Sequence, residues 1–166
     1  MNPNNVLTNT AHVGYTSAQS LADMSTQVVP VISSWSSNPK QVKARVYSLM
    51  TGTNDIEQSV PTATTYANIQ SICADVTGAG ASMILLTILP ASTVNETNRQ
   101  ALNSLIRGGG SCSYIIADVG NDATIGQAGQ WSNTTYYQAD GLHPTAAGDT
   151  IIAGYLKTAL QSLGVN

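Results

Sequence analysis

At 166 residues and 42% hydrophobic, the chain has room for one substantial core and is not a disordered tail. Only 9% of its residues are charged and the net charge is −3, which excludes a nucleic-acid partner recognised through a basic face. A membrane-spanning helix is excluded too, because the longest apolar run, 83–89, stops at Pro90, well short of the roughly 20 residues a span needs.

Residues 6–11 form a short β-prone segment that ends in a His12-Val13-Gly14 turn. Thr16 or Ser17 can then cap a helix through Ala18, Leu21 and Met24. Residues 28–35 are apolar but broken by Pro30, which predicts a second short helical piece, and 36–40 read as a loop. Residues 46–50 are apolar and β-favouring, and the pattern stops abruptly at Thr51-Gly52-Thr53-Asn54-Asp55. A short apolar run bounded by turn residues predicts a buried strand of a parallel sheet, with a loop at its C-terminal edge. Ligands of open α/β sheets bind at that edge.

Pro61 and Thr62 open a helix with Tyr66, Ile69, Ile72, Cys73 and Val76 on one face, closed by Gly78-Ala79-Gly80. Residues 83–89 predict the clearest buried strand. A helix over 95–107 turns Ala101, Leu102, Leu105 and Ile106 inward, and 114–119 form the next strand. Residues 120–137 are a long polar loop of the kind that is usually functional. The last helix follows Pro144, with Ile151, Ile152, Tyr155 and Leu156 among its inward residues. Four strands alternating with four helices imply one domain over 1–166 with a parallel sheet between helical layers.

Cys73 and Cys112 lack metal-ligand spacing. A disulfide is the alternative, but with Cys73 on a helix and Cys112 at the start of a non-neighbouring strand, two reduced thiols are expected. The sequences Asn95-Glu96-Thr97 and Asn133-Thr134-Thr135 match the glycosylation pattern. The N-terminus has neither the basic start nor the apolar run of a signal peptide. Low charge and abundant Thr and Asn nevertheless suggest a secreted or surface protein whose leader is not in this sequence.

Asp140-Gly141-Leu142-His143-Pro144 lies between the long loop and the last helix. His is the side chain best suited to proton transfer near neutral pH. A carboxylate three residues earlier can turn back across Gly141 and accept a hydrogen bond from the His143 Nδ1–H, as in a hydrolytic triad.

Gly-x-Asn-Asp after a central strand, with Asp-x-x-His-Pro before a C-terminal helix, resembles the SGNH (GDSL-type) hydrolase family. The resemblance runs from about residue 6 to the end. It implies a three-layer α/β/α fold with a flavodoxin-like parallel sheet and an ester hydrolase needing no metal or cofactor. His143 and Asp140 then look like the base and acid of a triad, and Asn54 and the Gly14 N–H like oxyanion donors. Asp55 is expected to brace the loop. His12, Trp131 and Tyr137 are expected to contact substrate, a short acyl ester such as an acetyl group on carbohydrate, although aromatics that simply pack the loop are the commoner case.

One departure is large. The family's nucleophile is the Ser of Gly-Asp-Ser at the end of its first strand, and this sequence contains no Gly-Asp-Ser. The chain reads as a member that begins one strand and one helix late, with the central first strand missing. The nucleophile would then come from an N-terminal segment supplied by upstream sequence or by another chain. The other reading is a non-catalytic relative, a binding or structural domain that keeps the pocket without the nucleophile.

Overall fold

The computed structural model describes residues 7–35 and 44–165. Helix α1 (Ser17–Ala22) opens with a capping box: Thr16 Oγ1 accepts from the Gln19 N–H, and the Gln19 side chain reaches back to the Thr16 N–H. A π-helical turn (Met24–Val28) leads into α2 (Val29–Ser34), where Pro30 sits in the first turn and no N–H is needed. Strand β1 (Val46–Leu49) is followed by α3 (Thr53–Glu57) and α4 (Thr62–Gly78). Strand β2 (Ser82–Leu86), α5 (Glu96–Gly108), β3 (Ile115–Ala117) and α6 (Ala146–Ser162) complete the order.

The three strands form a parallel sheet in the order β1-β2-β3, with Tyr47 opposite Met83 and Leu85 opposite Ile116. Side chains alternate across it. Met83 and Leu85 point into one core with Met24, Ile32, Ile69, Ile72, Leu102 and Ile106. Ile84 and Leu86 point into the other with Ala117, Val119, Ile125 and residues of α6. Helical layers therefore cover both faces, as the alternating pattern requires. Each fully buried Ile or Leu in them contributes about 2 kcal/mol of hydrophobic stabilisation.

Ala101 and Leu105 of α5, expected inward, are exposed, and three further expectations change. Residues 7–11 carry no strand, because β-propensity alone does not make one without a ladder to join; Val6 lies outside the described residues, as does the expected loop at 36–40. The turn after β1 is itself the start of a helix, α3. Gly52 makes that switch possible: its φ is +124°, and a Cβ there would stand 2.5 Å from Ile88 Cδ1 and 2.6 Å from Leu102 Cδ2.

The third change concerns the cysteines, which are joined rather than reduced, with Cα atoms 6.0 Å apart. Cys112 does not begin a strand. It lies in the loop before β3, and Gln70 of α4 draws that loop in by accepting from the Cys112 N–H at 3.0 Å and from Ser111 Oγ at 3.3 Å. The loop thus crosses α4 where Cys73 faces inward.

Candidate active site

The Asp140–His143 turn is fixed by its backbone. Gly141 has φ +63°, its N–H donates to Gln138 O at 2.9 Å, and the Gln138 N–H donates to His143 O at 2.8 Å. Pro144 then leads into Thr145, whose Oγ1 caps α6 by accepting from the Gly148 N–H. Asp140 Oδ1 accepts from the N–H groups of Leu142 (2.9 Å) and His143 (3.0 Å), while Oδ2 lies 2.8 Å from His143 Nδ1. With Nδ1–H donated to a carboxylate, the neutral ring carries its lone pair on Nε2, the arrangement a general base requires. The His143 side chain and these two backbone N–H groups hold the Asp140 carboxyl down at about 2.

A second cluster of expected site residues gathers at the C-terminal end of β1. Asn54, in the first turn of α3, donates from Nδ2 to Tyr15 O at 2.9 Å, which places it beside the Gly14-Tyr15 segment. That bond uses one of the two Nδ2 hydrogens and fixes the amide plane. Gly14 has φ +77°. Asp55 braces this region as expected. Fully buried, it accepts from the Ser17 N–H (2.8 Å), Ser17 Oγ (2.5 Å) and Thr65 Oγ1 (3.2 Å), and Asn68 Nδ2 donates to the same Ser17 hydroxyl. A buried carboxylate with these partners locks α1, α3 and α4 together.

The residues expected to contact substrate separate. His12 stacks on Tyr15 with ring centroids 4.5 Å apart, and its Nε2 faces Gln27 Oε1 at 3.1 Å and Asp23 Oδ2 at 3.4 Å. Trp131 is 37% exposed, and its ring edge lies 3.1 Å from where a Gly141 Cβ would stand, directly beside the Asp140–His143 turn. Tyr137 is 1% exposed and donates its hydroxyl to Ile125 O at 2.6 Å; burial pushes this phenol up to about 12. Tyr137 thus pins the long loop and offers no face to a ligand.

Sequence reasoning missed Ser92. Its Oγ donates to Asp140 O at 3.0 Å and its N–H to Gly141 O at 2.9 Å, although 48 residues separate Ser92 from Asp140. No local pattern signals such a contact. Ser92 bonds the backbone of the turn, and among the described residues no hydroxyl bonds His143 Nε2.

Beside β1 runs a groove of about 460 Å³, between residues 7–12 and the strand, floored by Val28, Ile32 and Trp35 and reaching Asn54. Among the described residues β1 pairs only with β2. Because the Ser82 N–H donates to Arg45 O at 2.9 Å, strand alternation turns the backbone groups of Val46 and Ser48 toward this groove.

No curated protein matches the sequence. Among the solved structures that share its fold are the following two. One, from Bacteroides fragilis and provisionally described as an acylhydrolase, has a TM-score of 0.68 and 20% identity over 90% of this chain and 72% of its own. The other, from Streptococcus pneumoniae and provisionally described as a platelet activating factor, has a TM-score of 0.61 and 23% identity over 89% and 69%. At these identities the likeness speaks for the fold alone. The family model for GDSL-like lipases and acylhydrolases matches residues 1–151, and the chain belongs to that family of ester-type hydrolases.

Proposed function

We propose that this chain is the base-and-oxyanion portion of a short-chain ester hydrolase whose nucleophilic Ser arrives on a segment lying along the open edge of β1. The observation that carries the reading is the 2.8 Å Asp140–His143 pair, with the His143 side chain 61% exposed and no hydroxyl on its Nε2 among the described residues. In this mechanism Nε2 removes the Ser proton as Oγ attacks the ester carbonyl, and Asp140 stabilises the imidazolium. The free hydrogen of Asn54 Nδ2 and the Gly14 N–H hold the oxyanion. Collapse expels the alcohol, which takes the proton from His143, and water then releases the acyl group by the same steps. No step calls for a metal or cofactor.

The groove beside β1 supports the position of the incoming segment, since an edge with no partner strand among the described residues can accept another strand through its backbone. Trp131, exposed beside Gly141, supports a carbohydrate-linked acetyl ester as substrate, offering an apolar face to a sugar ring. His12 lines the groove and would meet the incoming segment or the substrate's outer end. The Cys73–Cys112 bond supports an extracellular or otherwise oxidising location. A second reading, a non-catalytic binding domain, is favoured by one observation: no described hydroxyl bonds His143 Nε2.

The test is a chain carrying a fused N-terminal strand ending in Gly-Asp-Ser, followed by a helix, assayed on 4-nitrophenyl acetate. Asn54→Ala should lower kcat about 10²–10³-fold, and His143→Ala should leave only the buffer rate. A His143→Ala variant as fast as its parent would sink the reading.

A further inference from the structure

The two halves of the site stand on different elements, and a single dipeptide fastens them together. Ser92 grips the Asp140–His143 turn twice, through its N–H to Gly141 O (2.9 Å) and its Oγ to Asp140 O (3.0 Å). Its neighbour Thr93 donates from Oγ1 to Glu57 Oε1, at the last residue of the helix that carries Asn54 in its first turn. Gly141 leaves room for this approach, since a Cβ there would stand 3.0 Å from Ser92 Cβ and 3.1 Å from its Oγ. The dipeptide is itself held, because Val94 is buried in the core behind it and Asn95 caps α5 by accepting from the Asn98 N–H.

We infer that Ser92 and Thr93 are positioning residues, a clamp that sets the offset between the His143 base and the Asn54 oxyanion donor. The inference rests on the reading of those two groups given above. Misplacing reacting groups by about 1 Å costs on the order of 10²-fold in rate, so a short rigid tie between them has a direct use. Neither residue touches the reacting atoms. Each acts through what it holds.

The experiment uses the 166-residue chain with 13C- and 15N-labelled Asp and Asn, followed by NMR. In Ser92→Ala the Asp140 carboxyl midpoint should rise by half a unit or more, and Ser92→Thr, which keeps the hydroxyl, should restore it. In Thr93→Val the Asn54 side-chain amide resonances should move, and Thr93→Ser should return them. Folded Ala and Val variants in which neither probe moves would overturn the clamp. Should Ser92→Ala fail to fold, the exposed Thr93 pair decides alone. These probes need no turnover. Shifted probes in a chain whose fused form is inactive would therefore contradict the hydrolase reading and leave the clamp standing.

Discussion

Asp140 titrates well below an ordinary carboxyl. Its carboxyl is held at about 2, against 3.8 for an unperturbed side chain, first by the His143 ring and then by the His143 and Leu142 N–H groups. Because the folded value is the lower one, the stability these bonds contribute is complete above about pH 4 and lost as pH falls through about 2. A carbon-detected titration should place the Asp140 midpoint near 2 in the folded chain; a midpoint near 4 would mean the bonds to His143 do not hold in solution. This pair was legible in the sequence because Asp-x-x-His spans one turn and Gly141 permits it. Ser92 was not legible, since its partners lie 48 residues downstream and a lone Ser in a loop has no period to read. Tyr137 shows a related limit. An aromatic on a polar loop can face out or in, and only the 2.6 Å bond to Ile125 O shows that this one faces in.

Among the elements, β1 and β2 were legible because their apolar runs end sharply, at Thr51-Gly52 and near Pro90. Residues 7–11 misled for a physical reason. A strand is a pairing, and local composition does not reveal that the lane between this segment and β1 is a groove instead of a ladder. The cysteines misled in a similar way, because the approach of the 111–112 loop to α4 depends on Gln70, whose role is visible only in three dimensions. The bridge closes a loop across a sequence separation of 39, which in the chain-entropy model contributes about 4 kcal/mol. Replacing both cysteines by Ser should therefore lower the urea midpoint, with m rising because the unfolded chain is no longer cross-linked. A double variant as stable as the parent, or a parent with no two-proton mass change on reduction, would show the thiols to be free.

At the level of the whole molecule, the fold forms two clusters, Asp140 with His143 and Asn54 with the Gly14-Tyr15 segment, tied through Ser92 to the first and through Thr93 and Glu57 to the helix of the second. The sequence carried both clusters in short motifs, and the fold supplies the ties between them. It also supplies the groove along β1, into which a strand bearing a nucleophile would fit beside Asn54. In the proposed mechanism this chain supplies the base, acid and oxyanion donors, while among the described residues no hydroxyl bonds His143 Nε2. That mechanism is tested most directly by comparing 4-nitrophenyl acetate hydrolysis by the purified 166-residue chain with that of the same chain carrying the fused Gly-Asp-Ser strand and helix. The first should run at the buffer rate and the second should turn over clearly, with that turnover lost in His143→Ala. Robust hydrolysis by the 166-residue chain, abolished by one serine substitution within it, would show that the nucleophile is its own and identify it.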